Sequence, residues 1–239
     1  MADTMDKSLD KLLTAVDAAL GPAYSALLYG SAARGNWTPG RSDINVLLVA
    51  PAVGPAELRQ LGPAFTAWRK ASHEPPLLLS AAEWVASADS FPLEITDMRS
   101  AYRVLRGDDP LALVTVRRED LRRELEHEMR GKLIRLRQGY VVLAADAERL
   151  SALATASLST ILLLFRSLLA LLGRAIPPDS LQLAAAVGAL VGFQGEQVEY
   201  VVRHREERRR RCSAAQFEDY LEAVERTARY VDQLQLGDQ

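Results

Sequence analysis

The sequence predicts an α/β unit over residues 1–115 followed by an all-α helical bundle over 116–239. Three observations predict it. Short apolar runs alternate with helix-like stretches and most of the prolines as far as Val116, strand signals stop there, and beyond it apolar residues recur at helical spacing. With 239 residues, 49% of them hydrophobic and 25% charged, the chain is long enough for one large domain or two small ones, each with its own core. The same composition excludes disorder and collagen-like repeats.

Ser25 to Tyr29 reads as a strand that leads into a Gly/Ser turn, and Ile44 to Ala50 as a second strand. Pro55 to Ala71 carries Leu58, Leu61, Phe65 and Trp68 at helical spacing. Leu77 to Leu79 is a third apolar run, Ser80 is an N-cap for a short helix over Ala81 to Ala88, and Leu93 to Met98 reads as a fourth strand. In the second half, Leu121, Leu125, Met129, Leu133, Leu136 and Tyr140 fall at intervals of four, four, four, three and four, one face of a long helix. Asp146 caps a helix that ends at Gly173, ahead of Pro177 and Pro178; Asp179 or Ser180 opens another, and Gln216 to Leu234 forms the last.

Charge and cysteine content narrow the function classes. Lys plus Arg number 29 against 31 Asp plus Glu, a formal charge of -2, so no global positive field recruits nucleic acid or anionic lipid. Cys212 is the only cysteine, which rules out an intrachain disulfide and fits a reducing compartment. Met1 to Lys11 lacks the basic start and small-residue cleavage site of a signal peptide, and the expected location is the cytoplasm. Ala152 to Gly173 imitates a membrane span, being 22 residues long with Arg166 as its single charge. A mid-helix Arg costs about 2.5–3.5 kcal/mol on insertion scales, and no Trp/Tyr belt flanks the segment, so a buried bundle helix is the expectation and no membrane partner is.

Leu27 to Ala50 carries the chemistry. An apolar strand ends in Gly30-Ser31, eleven residues intervene, and Asp43-Ile44-Asn45 then starts another strand. Gly30 lets the backbone turn closely past a ligand, and Ser31 offers a hydroxyl and its own N–H to a phosphate oxygen. Side chains alternate along a strand, so Asp43 and Asn45 point to one face, the spacing that presents two oxygen ligands to a hard divalent cation.

With Gly30-Ser31-Ala32-Ala33-Arg34-Gly35, the spacer, Ser42-Asp43-Ile44-Asn45 and the later Leu93-Glu94-Ile95-Thr96-Asp97-Met98, the chain resembles the nucleotidyltransferase superfamily related to DNA polymerase β, in particular its minimal and kanamycin nucleotidyltransferase type. The resemblance covers about the first 110 residues, and a helical second half is what such enzymes commonly append. It implies a mixed-sheet domain and metal-assisted transfer of a nucleoside monophosphate from an NTP to an acceptor hydroxyl, with pyrophosphate leaving. The acceptor is left open between a small molecule, a protein and an RNA. On this resemblance Gly30 and Ser31 contact the nucleotide's phosphates, Asp43 holds Mg²⁺ or Mn²⁺ with Asn45 beside it, and Glu94 ligates metal or draws the acceptor's proton. Arg34 either neutralises phosphate charge or fixes the loop through an ion pair. Lys132 either reaches a triphosphate or is solvated.

The chain departs from the family at Asn45, where a second Asp or Glu is usual. Asn offers a carbonyl oxygen but no charge, so metal affinity and turnover should fall. Read on a strand, Glu94 and Asp97, three apart, point to opposite faces, and Glu94 fits the family pattern better. The alternative function is a catalytically impaired nucleotide-binding or antitoxin-like protein-interaction module.

Four further features carry less. His73, His127 and His204 have no second His or Cys at ligand spacing, which argues against a zinc site. Arg122 and His127 form an Arg-x4-His pair similar to the motif of HEPN ribonucleases, but an Arg-rich helix produces such a pair by chance. The run from Arg203 to Arg211, with six arginines and two glutamates, reads as a solvated face with pairs such as Glu207 with Arg211 rather than a nucleic-acid patch. Trp37, in the spacer, either stacks on a ring or packs down over the domain edge.

Overall fold

A computed structural model describes residues 2–38, 42–71, 73–207 and 212–236. The chain divides into two compact units, Met1–Val116 and Arg117–Gln239.

The first unit is built on a four-stranded sheet in the order β3-β2-β1-β4. β1 (Ser25–Tyr29) pairs antiparallel with β2 (Asn45–Ala50) and with β4 (Tyr102–Arg106), and β2 pairs parallel with β3 (Leu77–Ser80). Both faces of the central pair are covered. Ala26 and Leu28 of β1 with Val46 and Leu48 of β2 join Leu9, Leu12, Leu13 and Val16 of α1 (Ala2–Leu20) and Leu61 and Trp68 of α2 (Pro55–Lys70). On the opposite face Leu27, Leu47 and Val49 meet Trp84 of α3 (Ala81–Ala86), Ile95 and Met98 of α4 (Pro92–Ser100), and Leu111 of a 3₁₀ turn at Pro110–Leu113. This two-sided burial explains why β1 and β2 read as continuous apolar runs.

Two elements differ from expectation. Leu93 to Met98 is not a strand: it lies inside α4, and the fourth strand is Tyr102–Arg106. Pro92 at the first helical position is pre-organised for a helix, and Asp97 and Met98 are both buried, which breaks the period of two that Leu93 to Thr96 suggests. Ile95 and Met98, three apart, form the helix stripe that seats on the sheet. α1 is the second difference, a helix outside the expected elements: Leu9, Leu12, Leu13 and Val16 have the spacing of an amphipathic helix and are all buried.

The second unit is wholly helical in its regular elements: α5 (Arg118–Leu143), α6 (Ala147–Leu171), α7 (Ser180–Val191), α8 (Glu196–Glu207) and α9 (Ala214–Gln233). The expected face of α5 is buried at Leu121, Leu125, Met129, Leu133 and Leu136. Asp146 accepts from the Arg149 N–H, Asp179 from those of Leu181 and Gln182, and Ser213 from that of Gln216, so each of these helices opens on a side-chain cap. α6 packs against α5, α7, α8 and α9. The Arg122 guanidinium donates to the carbonyls of Leu234 and Asp232 and pairs with Glu126, tying α5 to the end of α9. α8 carries the start of the arginine run, where Arg203 pairs with Glu199. The Glu207–Arg211 pair expected from the sequence lies outside the described residues.

Candidate nucleotide site

The site is built where β1 stops. Gly30 sits at φ +77°, in the left-handed region open to glycine, and the next residues close a tight turn in which Arg34 N–H donates to Gly30 O at 3.0 Å and Asn36 N–H to Ser31 O at 2.9 Å. A Cβ on Gly30 would stand 2.9 Å from Asn45 Nδ2. The sheet register causes that approach, because Tyr29 and Asn45 are direct partners across β1 and β2. Gly30, Ser31 and Asn45 are therefore neighbours, and Ser31 is half-buried in the turn.

Asp43 immediately precedes β2. It is exposed, Ile44 is buried in the core on the α1/α2 side, and Asn45 is half-buried, so the alternation expected from the sequence holds through the motif. Asn45 shares its sheet face with Leu47 and Val49, the face that α4 covers. Trp37 packs against the core, and its indole N–H donates to Ser42 O at 2.9 Å. It braces the far end of the spacer one residue before Asp43.

Glu94 and Asp97 come from α4, so two carboxylates three residues apart share a helix face instead of pointing to opposite sides of a strand. Both act on one group: burial, then the charges of Asp97 and Glu94, push the Tyr29 hydroxyl above its ordinary range. Glu94 is exposed in the first turn of α4, where the helix dipole favours a negative charge. Asp97 is buried, with its Oδ2 3.5 Å from Arg34 Nη2, and Arg34 Nη1 donates to Ser100 Oγ at 3.1 Å. Arg34 thus makes the ion pair that was one of its two expected roles. Lys132 is half-buried on α5, in the helical unit.

His73, which the sequence marks only as a histidine without a partner at ligand spacing, lies close enough to Asp43 to feel its charge. β2 and β3 are parallel in a register that pairs Leu47 with Leu77, and His73 and Asp43 lie in the segments that lead into these two strands. The imidazole lies 4.4 Å from the Trp68 ring; burial pushes its pKa down, and the Asp43 carboxylate opposes that shift. Periodicity gave no signal for His73, which lies outside both strand and helix.

The donor set fits one hard divalent cation shared with a substrate. Among the described residues no cluster of three or more His, Cys, Asp or Glu side chains is placed to hold a metal alone. Mg²⁺ ordinarily takes one or two protein carboxylates and completes its octahedron with phosphate oxygens and water, which Asp43 with the neutral oxygen of Asn45 can support.

No family model matches the chain, and no curated protein matches it. Among solved structures it is similar to spectinomycin adenyltransferase AAD(9) from Enterococcus faecialis, solved with ATP and spectinomycin, at 12% sequence identity and a TM-score of 0.59. The similarity covers 95% of this chain and 99% of that one. The likeness spans both the mixed sheet and the helical half, so the fold implied by the Gly30-Ser31 and Asp43-Ile44-Asn45 motifs is the fold this chain has.

Proposed function

We propose that the protein transfers a nucleoside monophosphate from an NTP to a hydroxyl of an acceptor. The observation that carries this reading is the contact between the glycine turn and β2: Gly30-Ser31 is pressed against Asn45, two residues from Asp43. A triphosphate seated on the turn therefore has a carboxylate within the same small site. The shared fold with an adenyltransferase whose structure holds ATP supports the same reading, as does that neighbour's small-molecule acceptor.

In the reaction an acceptor oxygen attacks the α-phosphorus, the bond from that phosphorus to the bridging oxygen breaks, and pyrophosphate leaves with the electron pair. Ser31 Oγ and the turn N–H groups receive the terminal phosphates. Asp43 and Asn45 would hold Mg²⁺ or Mn²⁺, which when bound neutralises charge on the phosphates. Glu94 accepts the acceptor's proton, its exposure giving an incoming hydroxyl access to the carboxylate.

Asn45 favours a second reading, a nucleotide-binding module with weakened or lost transfer, because the site lacks one negative charge beside the cation. Incubation with each α-labelled NTP and Mg²⁺ or Mn²⁺, over wild type, Asp43→Ala and Asn45→Asp, separates the two. We expect label transfer by wild type, its loss in Asp43→Ala, and half-saturation at a lower metal concentration in Asn45→Asp. Activity gained only in Asn45→Asp would support the binding module, and no nucleotide binding by any of the three would remove both readings.

A further inference from the structure

Arg34 is the one cation the glycine turn itself supplies, and its guanidinium is turned towards α4. Nη1 reaches Ser100 Oγ at 3.1 Å and Nη2 lies 3.5 Å from Asp97 Oδ2, while Ser100 Oγ donates to the Asp97 carbonyl at 2.6 Å. The planar fork therefore spans two side chains at the C-terminal end of one helix. Arg34 and Asp97 side chains keep 14% and 11% of their exposure, so water screens this pair little. Arg34 also belongs to the phosphate turn through its backbone, since its N–H closes on Gly30 O, and Nη2 passes 4.0 Å from where a Gly30 Cβ would stand. At the other end, Asp97 shares its helix face with Glu94, and both carboxylates act on the Tyr29 hydroxyl.

We propose that Arg34 and Asp97 are a positioning pair that locks the phosphate turn to α4, fixing the distance between the groups that receive the triphosphate and the Glu94 carboxylate that receives the acceptor's proton. The inference rests on the nucleotidyl-transfer reading. Nη1 and Nη2 are engaged by Ser100 and Asp97, which orients the guanidinium towards α4, so it serves the site through Asp97. Neither residue touches the reacting atoms. Their effect is on geometry, where a displacement of about 1 Å can cost about 100-fold in rate.

The test is a double-mutant cycle on the full chain with Arg34→Ala, Asp97→Ala, the pair together, and the milder Arg34→Lys and Asp97→Asn. Steady-state label transfer gives kcat and the NTP KM, and calorimetry gives the Kd of a non-hydrolysable ATP analogue with Mg²⁺. We expect each alanine variant to lose about 100-fold in kcat, the double variant to be no worse than either single one, and the analogue's Kd to change less than about threefold. Arg34→Lys and Asp97→Asn should fall between wild type and the alanine variants. A tenfold or larger rise in the analogue's Kd in Arg34→Ala, without one in Asp97→Ala, would make Arg34 a phosphate ligand and overturn the pair. So would a double variant that loses the product of both single losses. Wild type that neither binds the analogue nor transfers label would overturn the nucleotidyl-transfer reading and the pair with it, whereas wild-type transfer with additive losses overturns the pair alone.

Discussion

At Asn45 a single atom pair separates what the backbone demands from what the chemistry asks. The residue faces Gly30 so closely that its Nδ2 occupies the space a Cβ would need, which fixes the amide against the turn. Gly30, Ser31, Asp43 and Asn45 were legible in the sequence because strand alternation and a short spacer are local properties. The Arg34–Asp97 pair was not, since nothing local joins a turn residue to a helix so much later in the chain. The nearness of His73 to Asp43 is hidden for the same reason, since the two are far apart in the chain. It carries a pH prediction. Its folded-state pKa lies below the ordinary histidine value, chiefly through burial, so on acidification the unfolded chain takes up the proton first. The folded state consequently loses stability as the pH falls below about 6.5, until the folded form also protonates. His73→Gln should flatten the decline of the urea midpoint between about pH 7 and 5, and Asp43→Asn, which removes the opposing charge, should steepen it. Parallel pH profiles for wild type and His73→Gln would remove this assignment.

An element's type is legible in the sequence where periodicity and caps agree and obscured where they conflict. α3 shows agreement: Ser80 was expected as its N-cap, and Ser80 Oγ accepts from Glu83 N–H at 3.2 Å while Glu83 Oε2 accepts from Ser80 N–H at 2.7 Å. This capping box ends β3 and starts α3 at one residue. Ser80→Ala should cost about 1 kcal/mol, read as a lower urea midpoint at unchanged slope, while Ser80→Thr, whose hydroxyl can still donate to Glu83 Oε2, should recover most of it. Equal midpoints for all three proteins would deny the cap its role. α4 shows the conflict. Leu93 to Thr96 alternates like a strand, yet Pro92 and the paired burial of Asp97 and Met98 belong to a helix, and packing on the sheet decided the outcome. That exchange alters the chemistry as well as the fold, because only the helix sets Glu94 and Asp97 on one face.

On the scale of the whole molecule, opposite charges nearly cancel, so the chain has no global field and the proposed transfer would depend on a few local charges. The hydrophobic content is likewise local: each unit closes its own core, and α6 is the clearest case. By length and composition α6 could cross a membrane. Yet Leu158, Ile161, Leu162, Leu164, Phe165 and Leu168 are at most 3% exposed, and α5, α7, α8 and α9 all pack against the helix. Ser157 Oγ and Tyr220 Oη hydrogen-bond at 2.8 Å inside that packing, a polar contact that specifies how α6 meets α9. Apolar surface spent in this way gives stability to the folded chain in water, and its loss should be measurable there. Phe165 is fully buried, with its ring centroid 5.9 Å from that of Phe193. Phe165→Ala removes a large ring from a close-packed interior and leaves a cavity, so unfolding should become easier by about 3–5 kcal/mol, seen as a marked fall in the urea midpoint in detergent-free buffer. A helix whose apolar face were instead kept for lipid would tolerate the same substitution with a shift within about 0.5 kcal/mol, as exposed positions do. That result would reject the core role assigned to α6.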